Sequence, residues 1–209
     1  MLDELVVYSS SPEDHALHVR EVLSRLQRSG FTLNPDKVVL GASEIKYLGH
    51  LLSSCGVKIL LERVTAIKKY PCPTNLTSLR RFIGKVGFYA RFIPGYADTA
   101  AILHDLKKNE VAFVWREEHQ VAFDSLKHAL VEVPVLQIPD YNRDFVLVTD
   151  ASDLAVLTVL HQEANGALAP IAYYSRVLTA AECKYGTYEK ECLAVIFGRE
   201  KCRSYLEHK

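Results

Sequence analysis

A surplus of either charge is missing from this sequence: 25 Lys and Arg balance 25 Asp and Glu. A general polyanion binder would carry a basic excess, so contact with nucleic acid has to come from local basic clusters. Paired cysteines are missing too. Cys55, Cys72, Cys183, Cys192 and Cys202 are odd in number, irregularly spaced and free of any Cys-x-x-Cys pair. That speaks against a disulfide framework or a zinc site, and for reduced thiols in an intracellular compartment. No apolar run reaches membrane-spanning length, no basic-then-apolar leader opens the chain, and no internal repeat is visible. His15, His18, His104, His119, His128 and His161 are not expected to cluster, and no metal or catalytic role is assigned to them.

What is present is a folded-protein composition. The 209 residues are 49% hydrophobic and 24% charged, enough for one large domain or two small ones with a real core. "ELVVYS" reads as a strand. Ser11 caps a helix that has Pro12 at its first position and Glu13 and Asp14 in its first turn; Leu17, Val22, Leu23 and Leu26 recur at helical spacing, and Gly30 ends the run. The stretch from Phe31 to Val57 alternates extended pieces with turns, a small antiparallel group. Glu62 to Tyr70 predicts a short helix stopped by Pro71 and Pro73. Thr74 or Asn75 caps the next helix, which runs through Arg91, and another spans about Ala97 to Lys108. One more follows, with Val121, Phe123, Leu126 and Leu130 as its buried stripe. After residue 140 the texture changes. "FVLVTDAS", "LAVLTVLHQ" and "PIAYYSRVL" are strand-like, and a helix covers "TAAECKYGTYEKECLAVIFGREKCRSYLE".

The order of five stretches is more specific than any one of them. "HVREVLSRLQRSGFTLNPDKVVLGASEIKYLGHLLSSCGV", "PCPTNLTSLRRFIGKVGFYARFIPGYAD", "FVWREEHQVAFDSLKHALVEVPVLQIPD", "FVLVTDASD" and "PIAYYSRVLTAAECKYGTYEKECLAV" together resemble the polyprotein of Ty3/gypsy-type retroelements. The resemblance covers nearly the whole chain. It implies an α+β fold: the end of a reverse transcriptase palm and a helical thumb, followed by an incomplete ribonuclease H-like α/β domain. The implied divisions are residues 1–61, partial palm with a primer-grip-like hairpin; 62–108, thumb-like helices; 109–140, connection; and 141–209, truncated ribonuclease H-like domain.

The resemblance also places candidate sites. The family's palm carries a tyrosine-x-Asp-Asp turn followed by apolar residues and "YS". Asp3 matches the first of those carboxylates and Glu4 stands at the second; read alone, the pair is a solvated turn. Nucleotidyl transfer holds two cations about 3.5–4 Å apart, and productive geometry tolerates only about 0.5 Å, so a glutamate one methylene longer marks a degenerate centre. The ribonuclease H family binds Mg²⁺ through a carboxylate at the end of its first strand and a glutamate on its first helix. Asp150 matches the former and Glu191 the latter, with Glu189 the weaker choice. The family's "DASDYGLGAVL" reads "DASDLAVLTVL" here, which puts Ala155 and Leu157 where glycines stand and Leu154 where an aromatic does. Side chains there are expected to crowd the neighbouring strand or the nucleic-acid face.

Tyr47, Gly49 and His50 match the hairpin that grips a primer end, and Gly49 permits close approach of backbone to phosphate. Arg80, Arg81, Lys85 and Arg91 form a basic run on the thumb-like helix, with Lys68 and Lys69 as an extension. Arg81 and Lys85 share one face with Arg80 beside it, and Ile83, Val86 and most of the aromatics turn toward a core. Such a face tracks a duplex backbone without reading sequence. An ordinary hairpin and a solvated basic face are the plain alternatives. The implied partners are an RNA–DNA hybrid or other nucleic acid, a protein partner or the remainder of a polyprotein, and no membrane. The implied activities are RNA-directed DNA synthesis and hybrid cleavage. With further carboxylates expected before and after these 209 residues, neither activity is expected of this chain alone. A non-enzymatic binding remnant is the alternative.

Overall fold

The structure is a computed structural model that describes residues 4–107 and 113–207. It divides into two units, residues 1–54 and 55–209.

In the first unit, residues 4–9 form no strand. An apolar, β-branched run becomes a strand only where a neighbour completes its ladder, and the described residues supply none there. The helix α1 (Pro12–Arg28) starts as its sequence requires: Ser11 Oγ accepts from the Asp14 N–H at 3.1 Å, and Pro12 fills a position that needs no donor. Arg25 and Arg28 face the carbonyl end. No residue of α1 is buried. Strands β1 (Glu44–Tyr47) and β2 (His50–Ser53) pair antiparallel from Glu44↔Ser53 to Tyr47↔His50. The two residues between them, Leu48 (φ 44°) and Gly49 (φ 81°), both have positive φ. That is the signature of a type I′ hairpin turn, which a glycine enters freely and a leucine does not.

The second unit starts with β3 (Gly56–Ile59), whose Val57 exchanges backbone hydrogen bonds with Leu136 at 2.7 and 3.0 Å. Four helices follow: α2 (Leu61–Lys68), α3 (Leu76–Gly87), α4 (Tyr96–Asp105) and α5 (Glu117–Val131). Asn75 caps α3 in a reciprocal box with Ser78. Leu79, Phe82, Ile83 and Val86 of α3, Leu103 of α4, and Phe123, Leu126 and Leu130 of α5 share one core, in which the Phe82 and Phe123 rings lie 4.5 Å apart. Two expectations need correction. The helix α3 ends at Gly87 rather than Arg91; two glycines in four residues, Gly84 and Gly87, weaken its last turn, and a short 3-10 turn (Ala90–Phe92) takes over. Val121 is 57% exposed, and its place in the α5 stripe belongs to Ala122.

The three strands after residue 140 are β4 (Phe145–Ala151), β5 (Ala155–Ala164) and β6 (Ala167–Val177), antiparallel in that order. The helix α6 (Thr187–Lys201) crosses β4 and β5, and α7 (Arg203–Leu206) follows it. α6 starts eight residues later than the composition suggested, because a 3-10 turn (Glu182–Lys184) occupies the intervening loop. Where α6 meets the sheet it carries Gly198, and a Cβ there would stand 2.7 Å from Thr158 and 3.0 Å from Leu147. Helices and sheet are joined directly. Ala97 N–H donates to Ser175 Oγ (2.9 Å), and Gln137 N–H donates to the Pro170 carbonyl (2.8 Å). Buried Gln162 holds the connecting segment by donating to the Asp140 carbonyl and accepting from the Asp140 N–H. Among the described residues no helix is long and apolar enough to cross a membrane.

Candidate nucleic-acid interface and carboxylate pair

Burial of Leu79, Phe82, Ile83 and Val86 turns the opposite face of α3 outward. On a 3.6-residue period that face presents Arg80 on one side, Arg81 and Lys85 on the other, and Gly84 and Phe88 between them. All five are exposed. Nothing lies within 4 Å of where a Gly84 Cβ would be, so the backbone itself is open to approach. Phe88 is the exception among aromatics expected mostly to turn toward a core; it is 57% exposed and touches Tyr89 edge-on at 4.9 Å. Lys85 reaches back over the Tyr70 ring at 5.1 Å. Lys68 and Lys69 are exposed on the preceding segment. Arg91 does not join the group. Its guanidinium donates to the Ile171 carbonyl of β6 (3.5 Å) and lies over Phe92.

The β1–β2 hairpin brings Tyr47, Leu48, Gly49 and His50 to one tip, with Leu48 55% exposed. Leu48 was missed by the sequence reading, although a strained leucine beside the turn glycine is itself a signal. Glu4 is drawn into this hairpin. Its carboxylate accepts from the Leu48 N–H (3.4 Å), and its carbonyl accepts from the Tyr47 hydroxyl (3.5 Å). Asp3 lies outside the described residues.

Asp150 sits one residue from the end of β4, across from Leu157 of β5. Its neighbour Ala151 packs under α6 with Ala194 and Phe197, so alternation places the exposed Asp150 carboxylate on the other face of the sheet, where Oδ1 accepts from the Ala151 N–H at 3.0 Å. β5 pairs without a shift at Ala155 and Leu157. The side chains found there in place of glycines do not disturb the ladder, and Leu157 stands beside Asp150 on the same face. Glu191 lies half-buried in the second turn of α6. Glu189 is committed elsewhere: its carboxylate accepts from the Gly186 N–H at 2.8 Å and closes the start of the helix. Between them, buried Lys190 donates to Asp153 Oδ1 at 2.7 Å and holds the Asp153 carboxyl below its usual range. Ser152 accepts from the Leu154 and Ala155 N–H groups and donates to Asp98 Oδ1 of α4 at 3.0 Å.

The histidines are not all dispersed. His15 and His18 converge on Ser9, their Nδ1 atoms 3.3 and 2.8 Å from its Oγ. Their spacing of three on one helix brings them together, which the sequence pattern had already contained.

Comparison with known proteins settles the lineage. The reverse transcriptase (RNA-dependent DNA polymerase) family matches residues 2–52, and the RNase H-like domain found in reverse transcriptase matches residues 115–209. The retrovirus-related Pol polyprotein from transposon 297 of Drosophila melanogaster is 36% identical over 98% of this chain. The chain belongs to the Pol polyproteins of retrotransposons, over their reverse transcriptase and RNase H-like region. A second such Pol relative, the transposon Tf2-3 polyprotein of Schizosaccharomyces pombe, is 32% identical over 99% of the chain. The chain spans 19% and 16% of the lengths of these two curated relatives. In fold, this Pol segment is similar to a foamy viral protease-reverse transcriptase solved in complex with RNA/DNA hybrid. That match has a TM-score of 0.81 and 22% identity, over 95% of this chain and 27% of that one.

Domains of these families generally use divalent metals. Asp150 and Glu191 offer the hard oxygen donors that magnesium takes, with Asp150 on the sheet face turned away from α6. The donor chemistry fits. The set is a partial one, since among the described residues no three His, Cys, Asp or Glu side chains gather into a group that could hold a metal ion.

Proposed function

We propose that this Pol segment holds the template–primer duplex of a retrotransposon reverse transcriptase and contributes two carboxylates, Asp150 and Glu191, to its ribonuclease H centre. The reactions served are RNA-directed DNA synthesis and cleavage of RNA in an RNA–DNA hybrid. Residues 1–61 are taken as the end of the palm with the hairpin that meets the primer end, 62–108 as thumb, 109–140 as connection and 141–209 as the RNase H-like part. Matches to both regions in polyprotein order favour this over a separate non-enzymatic binding module.

The observation that carries the proposal is the outward face of α3. Arg80, Arg81 and Lys85 supply point charges to phosphates. Between them, the open Gly84 backbone and the exposed Phe88 ring form a strip that sugars and bases can approach closely. Tyr47, Gly49 and His50 serve the primer strand. Glu4 contributes no polymerase chemistry, its carboxylate being turned to the Leu48 amide. Asp150 and Glu191 are the residues that would hold Mg²⁺, which when bound supplies Lewis-acid stabilisation of the phosphodiester under attack.

A titration of labelled RNA–DNA hybrid across a salt series tests the interface. Arg81→Glu with Lys85→Glu should weaken binding and reduce the slope of log affinity against log salt by about 2, one for each phosphate contact removed. An unchanged slope and affinity would show that the surface is misplaced.

A further inference from the structure

We propose that the helices carrying the cationic face and the three-stranded sheet form one cooperative body, keyed together where α3 ends, so that a duplex held on α3 meets the sheet at a fixed offset. The part concerning the duplex rests on the nucleic-acid reading above. Separate domains are joined by exposed linkers that few contacts cross, and a hinge needs residues free to change φ and ψ. Both crossings from helices to sheet are built the other way. The first lies at the 3-10 turn Ala90–Phe92, directly after α3. Phe92 is fully buried in the helical core, while Arg91 beside it donates to the Ile171 carbonyl of β6. The first turn of α4 takes two further holds. The Ala97 N–H donates to Ser175 Oγ at 2.9 Å, and Asp98 Oδ1 accepts from the Ser152 hydroxyl at 3.0 Å. Between Ile171 and Ser175, Tyr173 packs against the helical core itself. Its neighbour Tyr174 packs on the opposite face with Ala194 and Phe197 of α6, so β6 is clasped from both sides.

The second crossing is the chain itself, between α5 and β4. Leu136 is fully buried and exchanges backbone hydrogen bonds with Val57 of β3. The next residue, Gln137, donates its N–H to the Pro170 carbonyl of β6 at 2.8 Å. Three residues on, Asp140 is held by Gln162 of β5. The stretch that would have to bend is therefore fastened to the helical side by one residue and to the sheet by the next. Opening either part alone would uncover Tyr173 and the helical core it touches, so the two lose burial together.

Amide hydrogen exchange of the full chain tests this, read at the slowest amides of α3 and β5, which open only on global unfolding. Phe82→Ala, in the helical core, is expected to speed exchange about 100-fold or more in α3 and by the same factor in β5. Should that variant not fold, Ile83→Val is expected to speed both about 5-fold. Faster exchange confined to α3 overturns the single body. RNA–DNA hybrid at about 100 times its Kd should slow both sets about 100-fold, and Arg81→Glu with Lys85→Glu should remove both slowings together. Slowing that survives in β5 would mean that the sheet is protected by contacts of its own, and overturns transmission from α3. If hybrid slows neither set while Phe82→Ala speeds both, the nucleic-acid reading fails and the single body stands. In an Arg91→Met, Ser175→Ala background, the effect of Phe82→Ala on β5 should shrink below its effect on α3. An undiminished effect there overturns the keying at the end of α3.

Discussion

The helices α1 and α3 carry the same kinds of local instruction and come to different ends. Each has a polar residue capping its N-terminus, a periodic apolar set and a basic last turn. α3 buries four residues in a core shared with α2, α4 and α5, whereas α1 buries none and leaves Leu17 and Leu23 62% and 40% exposed. Local signals decide where a helix starts. Whether its apolar face contributes to stability depends on what packs against it. The cationic surface of α3 is therefore carried by a helix held in place from behind, which is what the proposed positioning on a duplex needs.

The largest expected effect tests that contrast directly. Phe82 is fully buried against Tyr70 and Phe123, and Phe82→Ala should destabilise residues 55–207 by about 3–5 kcal/mol. Leu17→Ala on α1 should stay within about 0.5 kcal/mol. Guanidinium denaturation of both variants reads the difference, and equal losses would mean that α1 is as well supported as α3.

Two glycines sharpen it further. Gly198 of α6 faces Thr158 and Leu147 with no room for a methyl group, and Gly198→Ala should cost about 1–3 kcal/mol through overpacking. Gly84, inside α3 but on its open face, should behave oppositely. Gly84→Ala meets no neighbour and should stabilise by about 0.5–1 kcal/mol through helix propensity. If Gly84→Ala stabilises the fold and still weakens hybrid binding, the glycine is kept for the nucleic acid. A smaller, local effect is expected at the α1 cap. Ser11→Ala should cost about 1 kcal/mol, seen as faster amide exchange in α1 with no change in the melting of residues 55–207.

The starts of α1 and α3 were legible because their caps are local: Ser11, Asn75 and the first turn of α1 act within three residues, whereas the start of α6, set back eight residues by a 3-10 turn, was not. The three strands after residue 140 were legible as strand-like runs separated by turn residues. Less was legible where a partner decides. The run at residues 4–9 has strand composition without a ladder, and Val121 lost its place to Ala122 because the angle at which α5 meets its neighbours selects the buried stripe. Phe88 illustrates the same limit. With Phe82, Tyr89 and Phe92 also present, four aromatics in eleven positions cannot all lie on one stripe, and the sequence does not say which is excluded. Of the site, Asp150, Glu191 and the α3 basic run could be named in advance, Asp150 and Glu191 through family resemblance. The Asp153–Lys190 bond could not, because nothing local connects residues 37 apart. Arg91 was misgrouped for the same reason, its partner Ile171 lying 80 residues on.

The smallest expected effect concerns acid, in the Arg176–Glu182 pair of the loop before α6. Arg176 donates twice to the Glu182 carboxylate, at 2.7 and 2.8 Å, and the Thr179 N–H donates to it as well. These bonds hold the Glu182 pKa down at about 2, from an ordinary value of 4.5. A carboxyl depressed by folding stabilises the native state at all pH above its unfolded value, and that contribution is lost as pH falls from about 4.5 toward 2. The Glu182 side chain is 16% and that of Arg176 34% exposed, so the pair lies at the rim of solvent, which screens part of the effect. Arg176→Met should flatten the acid limb of a stability-against-pH curve over that window and leave it unchanged above pH ~5 in slope. An acid limb identical to wild type would mean that the pair forms equally in the unfolded chain, and that the loop before α6 is ordered by α6 and β6 rather than by its own ion pair.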